Sequence, residues 1–199
     1  MVPSRSWSLK LIKQKQMPEH ILHHSVMVCE VALVIARAYC KAGGEVNIDL
    51  VEASAILHDI CKIDTINSGG DHALMGRLLL EEYGYPKVGR IVGQHVRLNN
   101  CILDEALIVN YADKRVMHDR VVLLSERFAD LLKRYGTDDI KIARIIDLFN
   151  KAKQAEQLIV RETALVPKDL NRLNLVAGND SFDGENCFLR EYRTIEEEN

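Results

Sequence analysis

Leu57-His58-Asp59-Ile60-Cys61-Lys62 places two ionisable side chains at the end of an apolar helical stretch. Ala55 and Ile56 lie one turn back, so His58 and Asp59 share a flank that otherwise faces a core. Burying an ionised carboxylate without compensation is costly or drives its pKa upward, and Asp is buried almost only when paired or metal-bound. The same anomaly recurs outward along the chain. His24 shares a face with Ile21, Met27, Val28 and Val31, His72 with Met75, Gly76 and Leu79, and His95 with Val88, Ile91 and Val92. Asp113 is flanked at helical spacing by Val109, Asn110, Val116 and Met117. One histidine on an apolar face is more often a hydrogen-bonded core residue than a ligand. Taken together, these histidines and acids would each need a private partner, and a divalent metal is the simplest shared one. Imidazole with carboxylate suits Fe, Mn, Ni, Co or Zn rather than Ca, with one or two ions equally open. His20 and His23 crowd His24, and His20 shares its face at i−4, so a contribution from either stays open.

The pattern around these residues is helical throughout. A first long helix starts near Pro18 and ends at Gly43-Gly44, and a second, capped within Asn47 to Asp49, runs to about Cys61. Ile63 to Gly70 reads as a loop with Asn67-Ser68-Gly69-Gly70 at its tip. Asp71 caps a third helix to Tyr83, Gly84 stops it, and Pro86 starts a fourth that reaches about Arg97. Leu103 to Met117, Val121 to Tyr135 and Asp138 to about Glu162 complete the set. The expected fold is all-α, a compact bundle of six or seven helices with an irregular C-terminal tail. Residues 1–17 form an N-terminal lead anchored by Trp7, 18–136 the core with its metal-binding residues, 137–162 an additional helix, and 163–199 an acidic tail. His118 reads as a helix-terminus residue.

With 199 residues the chain suits one core rather than two. A hydrophobic fraction of 47% with 28% charged residues disfavours wholesale disorder and coiled coil. A net charge of −3 supplies no global positive field, so DNA or RNA binding is not expected and any phosphate binding must be local. Apolar runs such as Val31 to Ile35 fall far below the roughly 18 residues of a membrane span. No apolar signal segment follows Arg5, Lys10, Lys13 and Lys15, and the five cysteines contain no C-x-x-C pair. They read as reduced thiols, most of them buried, which points to the cytoplasm.

His24-Ser25, Leu57 to Lys62 and Asp113 together resemble the HD-domain metal-dependent phosphohydrolase superfamily. Leu57 to Lys62 is similar to the subfamily form L-H-D-I-G-K, with Cys61 in place of glycine. His72-Ala73 with Gly76 and Leu79, and Ile91 to His95, resemble the extra histidine positions of subgroups that bind two metals. The resemblance implies a helical bundle with the metal site at its centre. It implies His24, His58, Asp59 and Asp113 as the shared ligands, His72 and His95 as completing a second position, and Asp59 as the bridge. Gly84-Tyr85-Pro86 spells a signature of cyclic-dinucleotide phosphodiesterases, but lies far beyond the His-Asp doublet and reads as a turn and helix start.

The resemblance further implies hydrolysis of a phosphoester or phosphoanhydride bond of a nucleotide or dinucleotide, for example a dinucleoside tetraphosphate, with metal-activated hydroxide as nucleophile. Asp59 and Lys62 would be the catalytic residues. Lys62, four residues past His58, could hold a phosphate, and Arg97, Lys114 and Arg115 are weaker phosphate-binding candidates. The partner would be a small phosphorylated substrate, with a homodimer as the default assembly. A non-catalytic nucleotide- or metal-sensing module and a di-iron oxygenase of the same fold are the rival readings.

Overall fold

The computed structural model describes residues 1–66, 69–174 and 186–197. The expected loop tip Asn67-Ser68 and the tail glycines Gly178 and Gly184 lie outside the described residues. The architecture is all-α apart from one small hairpin. Helix α2 (Glu19–Lys41) is the central element and packs on α3 (Ile48–Leu57), α7 (Glu105–Arg115) and α9 (Asp139–Thr163). Its length and apolar character would suffice to cross a membrane, yet most of that stretch is buried inside the fold. This is how the core helix of a folded domain reads.

Helix α3 is largely apolar, with Leu50, Val51, Ala53, Ala55, Ile56 and Leu57 all buried. Each fully buried Leu or Ile contributes about 1.5–3 kcal/mol, so α2 and α3 anchor the domain. Asn47 starts α3 by accepting from the Leu50 N–H at 2.9 Å. The helix was expected to reach Cys61 but stops at Leu57. Beyond it the chain tightens into i→i+3 bonds, Ile60 N–H to Leu57 O at 3.1 Å and Lys62 N–H to Asp59 O at 2.9 Å. The expected loop after it begins instead with a short helix α4 (Lys62–Ile66).

Helix α5 (His72–Glu82) is capped by Asp71, whose carboxylate accepts from Ala73 and Leu74 N–H at 3.0 Å. Gly84, at φ +83°, reverses the chain, and Pro86 opens α6 (Pro86–Val92), so the Gly-Tyr-Pro tripeptide is a turn and helix start. Helix α6 ends at Val92 rather than Arg97, leaving His95 beyond it. α5 and α6 cross closely at Gly89, where a Cβ would stand 2.8 Å from the Arg77 carbonyl. After α7 come β1 (Val116–Met117) and β2 (Arg120–Val121), an antiparallel hairpin with no counterpart in the sequence reading. Strands this short leave almost no period-2 pattern to detect. α8 (Leu124–Tyr135) packs on α9, and a 3₁₀ turn (Pro167–Arg172) follows.

Both termini are more ordered than expected. The lead forms α1 (Arg5–Gln14), capped by Ser4, with Leu9, Leu11 and Ile12 buried. Trp7 packs edge-on against Tyr83 and Tyr85 at 5.5 and 4.6 Å. The tail forms α10 (Cys187–Glu197), whose Phe188 is buried beneath the Arg5 guanidinium. Docking of that apolar face against α1 overrides the polar composition that suggested irregular chain. The cysteines are free thiols as expected, but Cys40, Cys101 and Cys187 are exposed and only Cys29 and Cys61 buried.

Candidate metal centre

The six expected ligands converge on one point, with Asp59 in the middle. The Asp59 carboxylate turns Oδ1 toward His72 Nε2 at 3.4 Å and His95 Nε2 at 3.5 Å. Its Oδ2 lies 3.3 Å from His58 Nε2 and 4.0 Å from His24 Nε2. Asp113 Oδ1 closes the second group, 3.2 Å from His24 Nε2 and 3.7 Å from His58 Nε2. His72 and His95 face each other through their Nε2 atoms at 3.1 Å. His24, His58 and Asp113 could hold one ion, as could His58, Asp59 and His95.

The helix ends explain the convergence. Successive residues inside a helix diverge by a hundred degrees, but His58 and Asp59 occupy the tight turn after α3, where both side chains reach the same centre. His58 is held there by its own Nδ1–H, which donates to the Ala55 carbonyl three residues back at 2.7 Å. His95 repeats the device, donating Nδ1–H to Val92 O at 2.7 Å. His24, in the second turn of α2, donates Nδ1–H to His118 O at 2.8 Å. A ring nitrogen facing a carbonyl must carry the proton, so the Nε2 atoms of all three rings are the ones that face inward, where a ring neutral at Nε2 offers its lone pair to a metal.

Those inward lone pairs are the test of fit to a metal. His58 Nε2 is completely buried and, among the described residues, has no hydrogen-bond partner, although it lies 3.3 Å from Asp59 Oδ2. A buried, unsatisfied acceptor among imidazole and carboxylate donors fits a divalent transition metal. Ligands of one tetrahedral ion at the usual metal–nitrogen distances stand about 3.3 Å apart, close to the spacings around Asp59 Oδ1.

Charge is balanced from within. Lys62 Nζ donates to Asp59 Oδ2 at 2.6 Å and Lys114 Nζ to Asp113 Oδ2 at 3.0 Å. Burial alone would raise the Asp59 carboxyl, but His58, His95 and Lys62 hold it well below the ordinary carboxylate range. Burial likewise opposes ionisation of Asp113, and Lys114, His24 and His58 overcome it, again leaving the group well below its usual value. Burial and the neighbouring His95 push the His72 imidazole down to about 4, so it stays neutral in mild acid.

The remaining candidates divide sharply. Lys114 is buried and also donates to the His95 carbonyl, so it ties α7 to the residue after α6. Arg97 is exposed on the chain following His95. Arg115, expected as a phosphate contact, is a correction: it is fully buried and turned away from the cluster. Its guanidinium donates to the Tyr111 hydroxyl, Val122 O, Pro167 O and Asn171 Oδ1, and pairs with Glu156 at 3.5 Å. Residues two apart on a helix stand about 200° apart around its axis, so Arg115 points away from the side of α7 that carries Asp113, whereas the adjacent Lys114 still reaches it. His20 is exposed and His23 pairs with Glu19 at 3.6 Å, both apart from the cluster.

Several contributors were missed. The His118 carbonyl orients His24, and Asn110 donates both amide protons, to Gln94 O at 2.9 Å and His95 O at 2.8 Å. A backbone acceptor leaves no signature in side-chain pattern. Asn110 was visible only as a neighbour of Asp113 one turn back.

Comparison with known proteins agrees with this geometry. Residues 21–118 match the HD domain family, a span that begins just before His24 and ends after Asp113. The "uncharacterized protein MJ0778" of Methanocaldococcus jannaschii is 27% identical over 159 residues, covering 78% of this chain and 90% of the relative. No solved structure matches significantly. The fold, the His-Asp doublet and the matched span agree that residues 21–118 form an HD domain.

Proposed function

We propose that this protein is a metal-dependent phosphohydrolase that cleaves a phosphoester or phosphoanhydride bond of a nucleotide or dinucleotide. The observation that carries this reading is the buried, partnerless His58 Nε2 set among inward-facing donors of His24, Asp59, His72, His95 and Asp113. A divalent metal bound there, whether Fe, Mn, Ni, Co or Zn, supplies an acidified water and neutralises charge on the phosphoryl oxygens.

The chain's own residues do the rest. Asp59 presents one oxygen to each histidine pair and so fixes their mutual placement. Lys62 is 38% exposed at its side chain and can turn its ammonium from Asp59 to a substrate phosphate without leaving the site mouth. Arg97 is the remaining exposed cation proposed for the phosphate. Lys114 stays with Asp113 and shapes the charge of the site rather than binding substrate.

A sensing module is a second reading, favoured by the lysine already paired with each acid, which leaves the metal-free cluster charge-balanced. The test is phosphate release from nucleotides, dinucleoside polyphosphates and cyclic dinucleotides by protein loaded with Mn or Fe. Turnover that Asp59→Asn abolishes is expected. Tight nucleotide binding without turnover under every metal would overturn hydrolysis in favour of sensing, and oxygen consumption by iron-loaded protein would point to oxygenase chemistry.

A further inference from the structure

Of the three histidines whose Nδ1–H is held by a backbone carbonyl, His24 is the one whose acceptor is distant in sequence. His58 and His95 each use a carbonyl of their own turn, whereas His24 depends on the carbonyl of His118 at the tip of the β1–β2 hairpin. That residue is exposed and holds φ +59°, a left-handed conformation that His tolerates better than most residues but not freely. A hairpin of two-residue strands has little stability of its own. Something outside it must keep the acceptor in place.

The supports lie behind the hairpin. Asn174 uses its amide as a third strand would, accepting from Val121 N–H at 2.8 Å and donating to Val121 O at 2.8 Å. Next along the chain, Arg115 donates to Val122 O at 2.7 Å while Val122 N–H returns to Arg115 O at 2.8 Å. Arg115 is in turn pinned by Asn171 Oδ1 at 3.1 Å and Pro167 O at 2.8 Å. Asn171 and Asn174 both fall beyond residues 21–118, the span that matches the HD domain.

We infer that Asn174, with Asn171 acting through Arg115, is a positioning residue of the metal centre. The segment after α9 grips the outer edge of the hairpin, the hairpin holds His118 O on His24 Nδ1–H, and that bond keeps the His24 Nε2 lone pair turned toward Asp113. The inference rests on the cluster being a metal centre, but its first link, the clamp on His24, is independent of any metal.

The test uses the full chain with ¹⁵N-labelled histidine, comparing the unaltered protein with Asn174→Ala, Asn174→Asp and Asn171→Ala. The His24 Nδ1–H proton should be protected in the unaltered protein and exchange with solvent about tenfold faster in Asn174→Ala. Zn²⁺ affinity, read by competition with a chromophoric chelator, should fall about tenfold, the low end of the loss caused by removing outer-shell partners. The tautomer signals of His58 and His95 should not change, a pattern that general destabilisation would not give. Asn174→Asp keeps the acceptor for Val121 N–H and loses the donor, so it should fall between, and Asn171→Ala should reproduce the effect more weakly. A folded Asn174→Ala protein with unchanged His24 protection and unchanged Zn²⁺ affinity would overturn the inference. If the unaltered protein binds none of Zn²⁺, Mn²⁺, Fe²⁺, Co²⁺ and Ni²⁺, the metal-centre reading fails, while His24 exchange still decides the clamp.

Discussion

Lys114 Nζ lies 3.0 Å from Asp113 Oδ2, and their side chains are only 9% and 15% exposed. Removing one partner of such a buried pair strands the other charge and typically costs about 3–5 kcal/mol. Lys114→Met should therefore lower the stability of the metal-free protein by about that amount at neutral pH. Added metal should restore part of the loss by replacing the missing positive charge. Denaturant unfolding with and without Zn²⁺ checks this, and equal stability of the two proteins without metal would count against it.

Among the described residues, Asp59 is the one whose carboxylate approaches both histidine pairs, His24 with His58 and His72 with His95. Asp59→Asn keeps the shape and removes the charge, so metal affinity should fall by more than about 100-fold, beyond the range seen for outer-shell changes. Lys62, being partly exposed, can swing into solvent, so the metal-free variant should remain folded. Competition with a chelator gives the affinity, and retained affinity would exclude Asp59 as a ligand.

His72 sets the acid limit of the metal-free protein. Its imidazole is held at about 4 against an ordinary 6.5, by burial and by His95. Unfolded chain takes up this proton near 6.5 while the folded chain refuses it until about 4, so stability rises with pH across that window and is lost as pH falls through it. Asp59 and Asp113, held below the usual range, lose their contributions only in stronger acid. Melting temperature should fall from pH 6.5 to 4, and His72→Gln should flatten that slope. Equal slopes in the two proteins would remove His72 from this role.

Gly89 lets α6 lie against α5, the helix that starts at His72. An alanine Cβ would meet the Arg77 carbonyl at 2.8 Å, and backbone cannot yield as a side chain does. Overpacking of this kind costs about 1–3 kcal/mol. Gly89→Ala should separate the helices, lengthen the 3.1 Å approach of His72 and His95, and weaken metal binding there more than at His24. Histidine NMR on Zn²⁺-loaded protein distinguishes the two positions.

Arg115 should behave as an internal tie. Arg115→Lys cannot reproduce a guanidinium that reaches Tyr111, Val122, Pro167 and Asn171 at once. It should lower the melting temperature by several degrees while leaving substrate KM unchanged once metal is saturating. A raised KM at unchanged stability would restore the phosphate-binding role.

The cluster was legible because each member is a polar residue on an otherwise apolar face, which burial makes conspicuous. His58 and His95 were read as helical-face residues, yet both sit just past helix ends where a ring Nδ1–H captures a carbonyl, an event with no periodic signal. Arg115 reads as a phosphate-binding candidate from sequence because nothing there marks the acceptors from Val122, Pro167 and Asn171 that gather around it. The same limit hid His118, whose contribution is a carbonyl. At the termini, short amphipathic segments around Leu9 and Phe188 form helices only because a neighbouring face receives them.

Metal content tests the central claim most directly. Protein purified without chelator, together with its His58→Ala and Asp59→Ala variants, should be assayed for transition metals by mass spectrometry and for folding by circular dichroism. Two ions per chain in the unaltered protein, lost from both folded variants, is the expected result. No metal in the unaltered protein under any loading condition, with helical content intact, would contradict the reading of His24, His58, Asp59, His72, His95 and Asp113 as a metal centre.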